Sequence, residues 1–280
     1  GKCKACKVRV QQGQVSGPSA TETDLFSTEQ IDEGWRLACL TFPQSDCIIY
    51  VPPESLTTLQ RMQVEGRDIA VPVEPAVRSY RIEMPPPSFA DLRSDSRRVM
   101  ETVQQVSHLP VRSIDIEALR DISADLRSNN WQVEASVSGD EIIALHPVGC
   151  RQLGLAVDVG TTKIAGYLLD LKSGETLARK AMMNPQIGYG EDITSRIHHA
   201  LKSKEEARML REIVIAALDN LAGELCLEIG AKASEIENAV IVGNTAIHHL
   251  ALGLPVRPLA YPPFNAAVQD ALDIKARDAG

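Results

Sequence analysis

Three cysteines near the start of the chain are spaced as metal ligands. Two residues separate Cys3 from Cys6, and Cys39 follows at a distance. A plant-type [2Fe–2S] cluster takes four thiolates in the pattern Cys-x4-Cys-x2-Cys with a distant fourth cysteine. Cys3, Cys6 and Cys39 therefore fit the second, third and fourth ligands, and we expect the first to precede Gly1. The pattern predicts an electron-transfer function for a chain that is a fragment of a longer protein.

The other cysteines do not extend this pattern. Cys47 starts a short apolar strand and Cys226 lies within an apolar helical pattern, so both are predicted to be small core residues. Thiols kept reduced for a metal fit this spacing better than disulfides do. One alternative stays open at this point, which is a structural zinc ion held by the thiolates of Cys3, Cys6, Cys39 and Cys47.

A second candidate site is a turn between two predicted strands, in the segment Val-Asp-Val-Gly-Thr-Thr-Lys that ends at Lys163. Gly160 lets the backbone approach a ligand, and the amides of a tight turn can converge on phosphate oxygens. Thr161 and Thr162 add hydroxyl groups, Lys163 adds positive charge, and Asp158 is placed to hold Mg²⁺ through water. The segment is not a Walker loop. An ordinary hairpin with a threonine-rich turn is the alternative.

The segment Gly243-Asn244-Thr245 is expected to line the same cleft. It follows a short apolar strand and opens a predicted helix. Gly243 permits a sharp strand-to-helix turn, and Asn244 or Thr245 can reach a phosphate or its attacking water. Capping of the helix by Asn244 is the equally supported alternative.

The elements around the cysteines predict the rear half of a ferredoxin-type domain over residues 1–53. Two short strands flank a capping box formed by Ser27 and Gln30. The front hairpin of such a domain is missing from this pattern, so we expect open sheet edges and a half-exposed core. Residues 54–87 hold two proline-rich stretches and are predicted to form a semi-rigid linker.

Two further domains are predicted beyond the linker. Residues 88–150 carry two helical patterns, the first beginning at Ser88, and a hairpin pattern that turns at Gly139. They predict a small α+β middle domain. Residues 151–280 begin with a strand and a hairpin around the candidate phosphate turn, continue with two helices and return to the sheet with a strand at 239–242.

Composition limits the partners. The chain has 44% hydrophobic residues, 24% charged residues and a net charge of −8. It has no lysine- or arginine-rich run, which argues against nucleic acid. No apolar run reaches the roughly 18 residues of a membrane span. We therefore expect a cytoplasmic protein that binds neither nucleic acid nor a membrane.

The order of these features resembles one family, the ATP-dependent reductive activators of corrinoid proteins in anaerobic methyl-transfer systems. The resemblance implies an α/β multidomain fold with a partial β-grasp ferredoxin domain, a linker, a small α+β middle domain and the first lobe of an actin/Hsp70/sugar-kinase-like (ribonuclease H-like) domain. The second nucleotide lobe is then expected after Gly280. The similar segments follow the family's order along most of the chain, at 1–10, 34–39, 158–162, 184–196 and 242–254.

The resemblance also implies a function. A corrinoid in the inactive Co(II) state would receive one electron from the [2Fe–2S] cluster and return to Co(I) for methyl transfer. Plant-type clusters have potentials near about −400 mV, and the Co(II)/Co(I) couple in such proteins is generally more negative. ATP with Mg²⁺ would therefore drive the step by favouring a complex in which the corrinoid is ligated differently. The implied partners are a corrinoid protein and a low-potential electron donor, and a homodimer is compatible with the resemblance.

In this interpretation Asp158 and Asn244 act in catalysis, and the turn residues named above bind the nucleotide. The alternative function is a [2Fe–2S] electron carrier or reductase subunit whose nucleotide fold does not hydrolyse ATP. Hydrolysis stimulated by a corrinoid partner would separate the two.

Overall fold

The computed structural model describes residues 6–52 and 73–279. The chain forms two compact units, Gly1–Gly66 and Arg67–Gly280. Cys3 lies outside the described residues, as does the part of the predicted linker before residue 73. Among the described residues, no helix combines the length and the apolar character needed to cross a bilayer.

The first unit contains an antiparallel sheet of three strands and two short helices. The central strand pairs with both others, and each helix begins with a capping box, the second being the predicted box of Ser27 and Gln30. The elements are β1 (Lys7–Gln12), α1 (Ala20–Leu25), α2 (Thr28–Asp32), β2 (Trp35–Leu37) and β3 (Ile48–Tyr50).

Among the described residues of this unit, the buried core is small. Val8, Phe26 and Leu37 are buried, whereas all three residues of β3 are exposed. The strand β3 begins one residue later than predicted, because Cys47 lies in the preceding loop. Cys47 is only half-buried, so its prediction as a core residue is wrong, whereas Cys226 is buried as predicted.

The second unit starts with a mixed sheet in the order β4-β6-β7-β5. Two helices cover one of its faces with Val99, Val103, Ile122 and Leu126, which pack against Val133 of the central strand. The elements are β4 (Val77–Glu83), α3 (Asp95–Ser107), β5 (Ser113–Ile114), α4 (Ile116–Ser128), β6 (Gln132–Ser138) and β7 (Glu141–Pro147).

Two boundaries predicted from the sequence are corrected here. The predicted linker 54–87 contains β4, which pairs along its whole length with β6 because Val77 and Ile82 are buried in this core. The first helix of the middle domain begins at Asp95 rather than at Ser88. Its cap is Ser94, whose hydroxyl accepts the Arg97 amide 3.3 Å away.

The second sheet of this unit has the order β10-β9-β8-β11. Three strands form an antiparallel meander, and the fourth returns to pair in parallel with the first. This arrangement agrees with the predicted first lobe of an actin-like domain. The strands are β8 (Leu153–Val159), β9 (Lys163–Asp170), β10 (Thr176–Met183) and β11 (Ile236–Gly243).

One long helix covers this sheet. It presents Leu210, Val214, Leu221 and Leu225 at helical spacing, and the last three pack on alternate residues of β8 and β9. The helices are α5 (Ile193–Ala200), α6 (Lys204–Glu228), α7 (Thr245–Leu252), α8 (Arg257–Ala260) and α9 (Ala276–Ala279), with 3₁₀ helices at Pro185–Tyr189 and Ala233–Glu235.

A buried polar cluster joins the two sheets at the start of β11. The Glu237 Oε1 atom accepts a hydrogen bond of 2.7 Å from the Ser136 hydroxyl and lies 2.8 Å from Nε2 of His146. Gln152 donates to the same hydroxyl at 2.9 Å. The bond to the Glu237 carboxylate raises the pKa of His146 even though burial opposes its charge. The strand β11 is therefore fixed to the middle sheet by the Ser136 hydrogen bond and, when His146 is protonated, by an ion pair.

We predict that His146→Gln destabilises the protein in a pH-dependent way. The folded pKa of His146 lies above the unfolded value of about 6.5, so its contribution is complete below that pH and is lost as pH rises through the folded pKa. Urea unfolding should show a loss of about 1.5–3 kcal/mol at pH 6 and a smaller loss at pH 9. His198→Gln, at an exposed position, is the control. A loss that does not change with pH would contradict this assignment.

Candidate functional site

The two described cysteines of the predicted cluster site lie side by side. Cys6 precedes β1 and Cys39 follows β2, and the antiparallel pairing of Lys7 with Leu37 brings their ends together. The Sγ atoms are 3.2 Å apart, and the Ala38 amide donates to the Cys6 carbonyl at 2.9 Å. Cys39 is exposed and Cys6 is partly exposed. Two thiols held together in this way can bind one metal centre.

Cys47 lies at the opposite end of β1. Its sulfur contacts the Gln14 carbonyl, just beyond the last residue of the strand, whereas Cys6 lies before the first. Six residues of strand span roughly 20 Å. The zinc alternative, which requires Cys6 and Cys47 on the same ion, is therefore wrong. Within residues 6–52 and 73–279, no three histidine, cysteine or acidic side chains converge as a metal site, and Cys3 falls outside them.

The candidate phosphate turn is tight and requires its glycine. The Gly160 amide donates to the Lys163 carbonyl at 2.8 Å, which closes the turn between β8 and β9. A Cβ atom at Gly160 would lie 2.7 Å from that carbonyl oxygen, so any other residue must push the turn open. Asp158, two residues before the turn, is exposed on the face of β8 that points away from α6.

One segment, 184–196, donates hydrogen bonds to three consecutive carbonyl oxygens of this turn. The Asn184 side chain donates to Gly160 at 2.8 Å, the Arg196 guanidinium donates to Thr161, and the Asn184 backbone amide donates to Thr162 at 2.9 Å. In a trans peptide the N–H group points opposite to the carbonyl. The amides of the next residues, 161 to 163, therefore point away from this segment, and Thr162 is exposed. This is the arrangement that a phosphate cradle needs.

Arg196 also supplies charge behind the turn. It is fully buried, its other hydrogen bonds go to the uncharged oxygens of Gly190 and Gln186, and the Asp192 carboxylate is a nearby charge that favours its protonated form. Burial lowers the pKa of this guanidinium, but an arginine stays protonated near neutral pH. A buried cation whose hydrogen-bond acceptors are uncharged adds positive potential at the turn, which the Asp192 carboxylate offsets in part.

The second predicted segment meets the first. The parallel register pairs Val242 with Asp158 and Gly243 with Val159, so both strands end at one edge of the sheet. A Cβ atom at Gly243 would approach the Val159 carbonyl to 3.1 Å. The side-chain oxygen of Asn244 accepts the Ile247 amide at 3.0 Å and so caps α7. The Nδ2 atom of Asn244 lies 3.4 Å from Oγ1 of Thr161.

All nucleotide-site residues predicted from the sequence thus lie around this edge, with Lys163 opening β9 and Thr245 exposed at the start of α7. The sequence analysis included 184–196 among the segments that resemble the family but assigned no individual role to Asn184, Gln186 or Arg196. Asn184 precedes a proline in a polar loop, which is a signal for a cap or turn. The bond from Arg196 to Thr161 joins residues 35 positions apart, and no local pattern predicts it.

Three family models match successive parts of the chain. The 2Fe-2S iron-sulfur cluster binding domain matches residues 1–44, the RACo linker region matches 66–152 and the RACo middle region matches 153–280. A solved structure described as a reductive activator for corrinoid, iron-sulfur protein superposes with a TM-score of 0.65, at 31% identity over 100% of this chain. The chain is a homologue of these corrinoid activators. The α/β multidomain fold with a ferredoxin domain at its start is confirmed.

The relatives are longer than this chain. The corrinoid activation enzyme RamQ of Eubacterium limosum is 25% identical over 284 residues, which is 99% of this chain and 44% of RamQ. The chain covers 46% of the solved activator, so it spans less than half of either protein. One component of the Na⁺-translocating NADH-quinone reductase of Chlamydia muridarum matches at 28% identity over 142 residues, 44% of this chain and 32% of that component.

We predict that Asn184→Ala lowers the free energy of unfolding by about 1–3 kcal/mol, because it leaves the Gly160 carbonyl and the buried Gln186 amide without their partner. Urea denaturation measures this loss. Asn220→Ala makes the same chemical change at an exposed position of α6 and should stay within about 0.5 kcal/mol of the wild type. Equal values for the two variants would show that Asn184 does not hold the turn.

Proposed function

We propose that the complete protein reactivates a corrinoid protein by passing one electron from a [2Fe–2S] cluster to Co(II), which gives Co(I) for methyl transfer. A low-potential donor then restores the electron to the cluster. The observation that carries this proposal is the pair of Cys6 and Cys39 sulfur atoms at 3.2 Å in a chain homologous to corrinoid activators. ATP with Mg²⁺ drives the step.

Cys3, Cys6 and Cys39 would hold the cluster, and the donor set fits it. Both described thiols lie at the open end of the small sheet, where one is exposed. The cluster supplies a one-electron centre of low potential. The pairing of β1 with β2 keeps these two thiols together, and the exposed Cys39 is accessible to a partner.

The nucleotide part of the proposal rests on the turn at Gly160. The amides of residues 161–163 point away from the segment that binds their carbonyls, and Arg196 adds positive potential behind them. In this function the Thr161 and Thr162 hydroxyls and Lys163 bind phosphate, Gly243 and Thr245 line the cleft, and Asp158 holds Mg²⁺ through water. Asn244, whose Nδ2 atom lies 3.4 Å from Oγ1 of Thr161, reaches the phosphate or its attacking water.

We predict that Cys39→Ser in the full-length protein destabilises the cluster or shifts its potential, because serine replaces a thiolate ligand. Cys47→Ser is the matched control, since Cys47 lies at the far end of β1. Iron and sulfide analysis together with the visible spectrum should therefore separate the two variants. A Cys39→Ser protein with the iron content and potential of the wild type would remove Cys39 from the ligand set.

We predict that Asp158→Ala weakens Mg²⁺-dependent ATP hydrolysis by about 10–100-fold, as loss of an outer-shell metal partner does. The cluster spectrum should be unchanged, because the cysteines belong to the other compact unit. Asp219→Ala, at an exposed position of α6, is the control. Hydrolysis at the wild-type rate in Asp158→Ala would refute the role of this carboxylate.

A further inference from the structure

Glu22 is a buried carboxylate in the small unit that the proposed function has not used. Only 1% of the residue is exposed, although it lies on the short helix α1 at the surface of a small domain. One side of the carboxylate belongs to a capping box. Its Oε2 atom accepts from the Ser19 amide at 2.7 Å and from the Ser19 hydroxyl at 2.8 Å. A capping box alone does not require burial.

The other carboxylate oxygen reaches the turn that carries Cys39. Oε1 accepts the Leu37 amide at 2.8 Å and lies 3.1 Å from the Thr41 hydroxyl, which also lies 2.9 Å from the Leu37 carbonyl. Leu37 is two residues before Cys39 and Thr41 is two residues after it. The carboxylate therefore holds the turn on both sides of the cysteine.

The opposite side of this turn is held by the other cysteine. The Ala38 amide donates to the Cys6 carbonyl, and the Leu40 amide donates to Leu37 within the turn. The Cys39 backbone is thus enclosed by bonds from Glu22 on one side and from Cys6 on the other, while the residue itself is exposed. The Leu37 amide is taken up by the carboxylate, so it cannot donate to a cluster sulfur.

The Glu22 carboxylate is held in its charged form. Burial opposes ionisation, but the bonds from Ser19, Leu37 and Thr41 lower the pKa of Glu22 below its ordinary value. A fixed negative charge and a fixed hydrogen-bond pattern close to a ligand are two of the means by which a protein sets a cluster's potential.

We propose that Glu22 is a positioning residue for the ligand Cys39, and that its buried charge keeps the cluster at a low reduction potential. This inference rests on the proposed function, because it assigns Cys39 to the cluster. Glu22 acts through the Leu37 amide and the Thr41 hydroxyl rather than as a ligand itself.

The test compares Glu22→Gln with Glu29→Gln in the full-length protein carrying its cluster. Both variants remove one negative charge, but Glu29 is exposed on α2. In the wild type, each carboxylate oxygen of Glu22 accepts from its own set of donors. Glutamine has only one side-chain oxygen, so its NH₂ group must face the donors of either Ser19 or Leu37. We expect Glu22→Gln to release iron to a chelator about 10–100-fold faster and to raise the reduction potential. Glu29→Gln should match the wild type in both.

The outcomes separate the two proposals. Wild-type protein that binds no iron and sulfide would overturn the proposed function. If the wild type binds its cluster but Glu22→Gln and Glu29→Gln have the same reduction potential and the same rate of iron release, the inference alone would be overturned. A Glu22→Gln protein that is less stable to heat but keeps the potential of the wild type would leave only a structural role and also overturn it.

A second variant covers the case in which Glu22→Gln does not fold. Thr41→Val removes the hydroxyl that contacts Glu22 and the Leu37 carbonyl, but it retains the Glu22 charge and the bond from the Leu37 amide to Glu22. It should release iron faster than the wild type while keeping the wild-type potential. Iron release at the wild-type rate in Thr41→Val would count against the inference.

Discussion

The parallel pairing of β8 with β11 is the constraint on which the candidate nucleotide site depends. It makes the two strands end at the same edge, so that Asn244 reaches Thr161. A shift of one residue would turn each side chain of β11 to the other face of the sheet and separate these groups. The cluster around Glu237 fixes the start of β11 on the middle sheet, so this register is held at both ends. The middle domain is therefore part of what positions the site, not merely a spacer.

Both candidate sites use the same construction. In each, a turn has exposed functional atoms, and a buried charged side chain from another segment of the chain forms hydrogen bonds with the backbone of that turn. Arg196 and the neighbouring Asn184 bind the carbonyls of the phosphate turn, which directs its amides outward. Glu22 binds the Leu37 amide next to Cys39. Buried charges need such partners, because an unpaired one would be costly.

The ligand spacing of the cysteines, the tight turn at Gly160 and most strands could be predicted from the sequence because local rules govern them. Cap residues, glycines and alternating apolar residues each leave a signal within a few positions. The supporting residues could not be predicted, since Glu22 contacts Leu37 from 15 residues away and Arg196 contacts Thr161 from 35. Prolines flank the strand β4 and favour a linker there, and only its pairing with β6 reveals it as part of a sheet.

The coupling of the two sites is the central claim, and reduction of the corrinoid partner tests it most directly. The full-length protein with a reduced cluster is mixed with its Co(II) corrinoid protein, and Co(I) is followed by visible absorption. Samples contain Mg-ATP, no nucleotide, or a non-hydrolysable ATP analogue. We predict that Co(I) accumulates with Mg-ATP and not without nucleotide. Equal amounts of Co(I) with and without ATP would contradict the coupling, and the protein would then be a simple electron carrier.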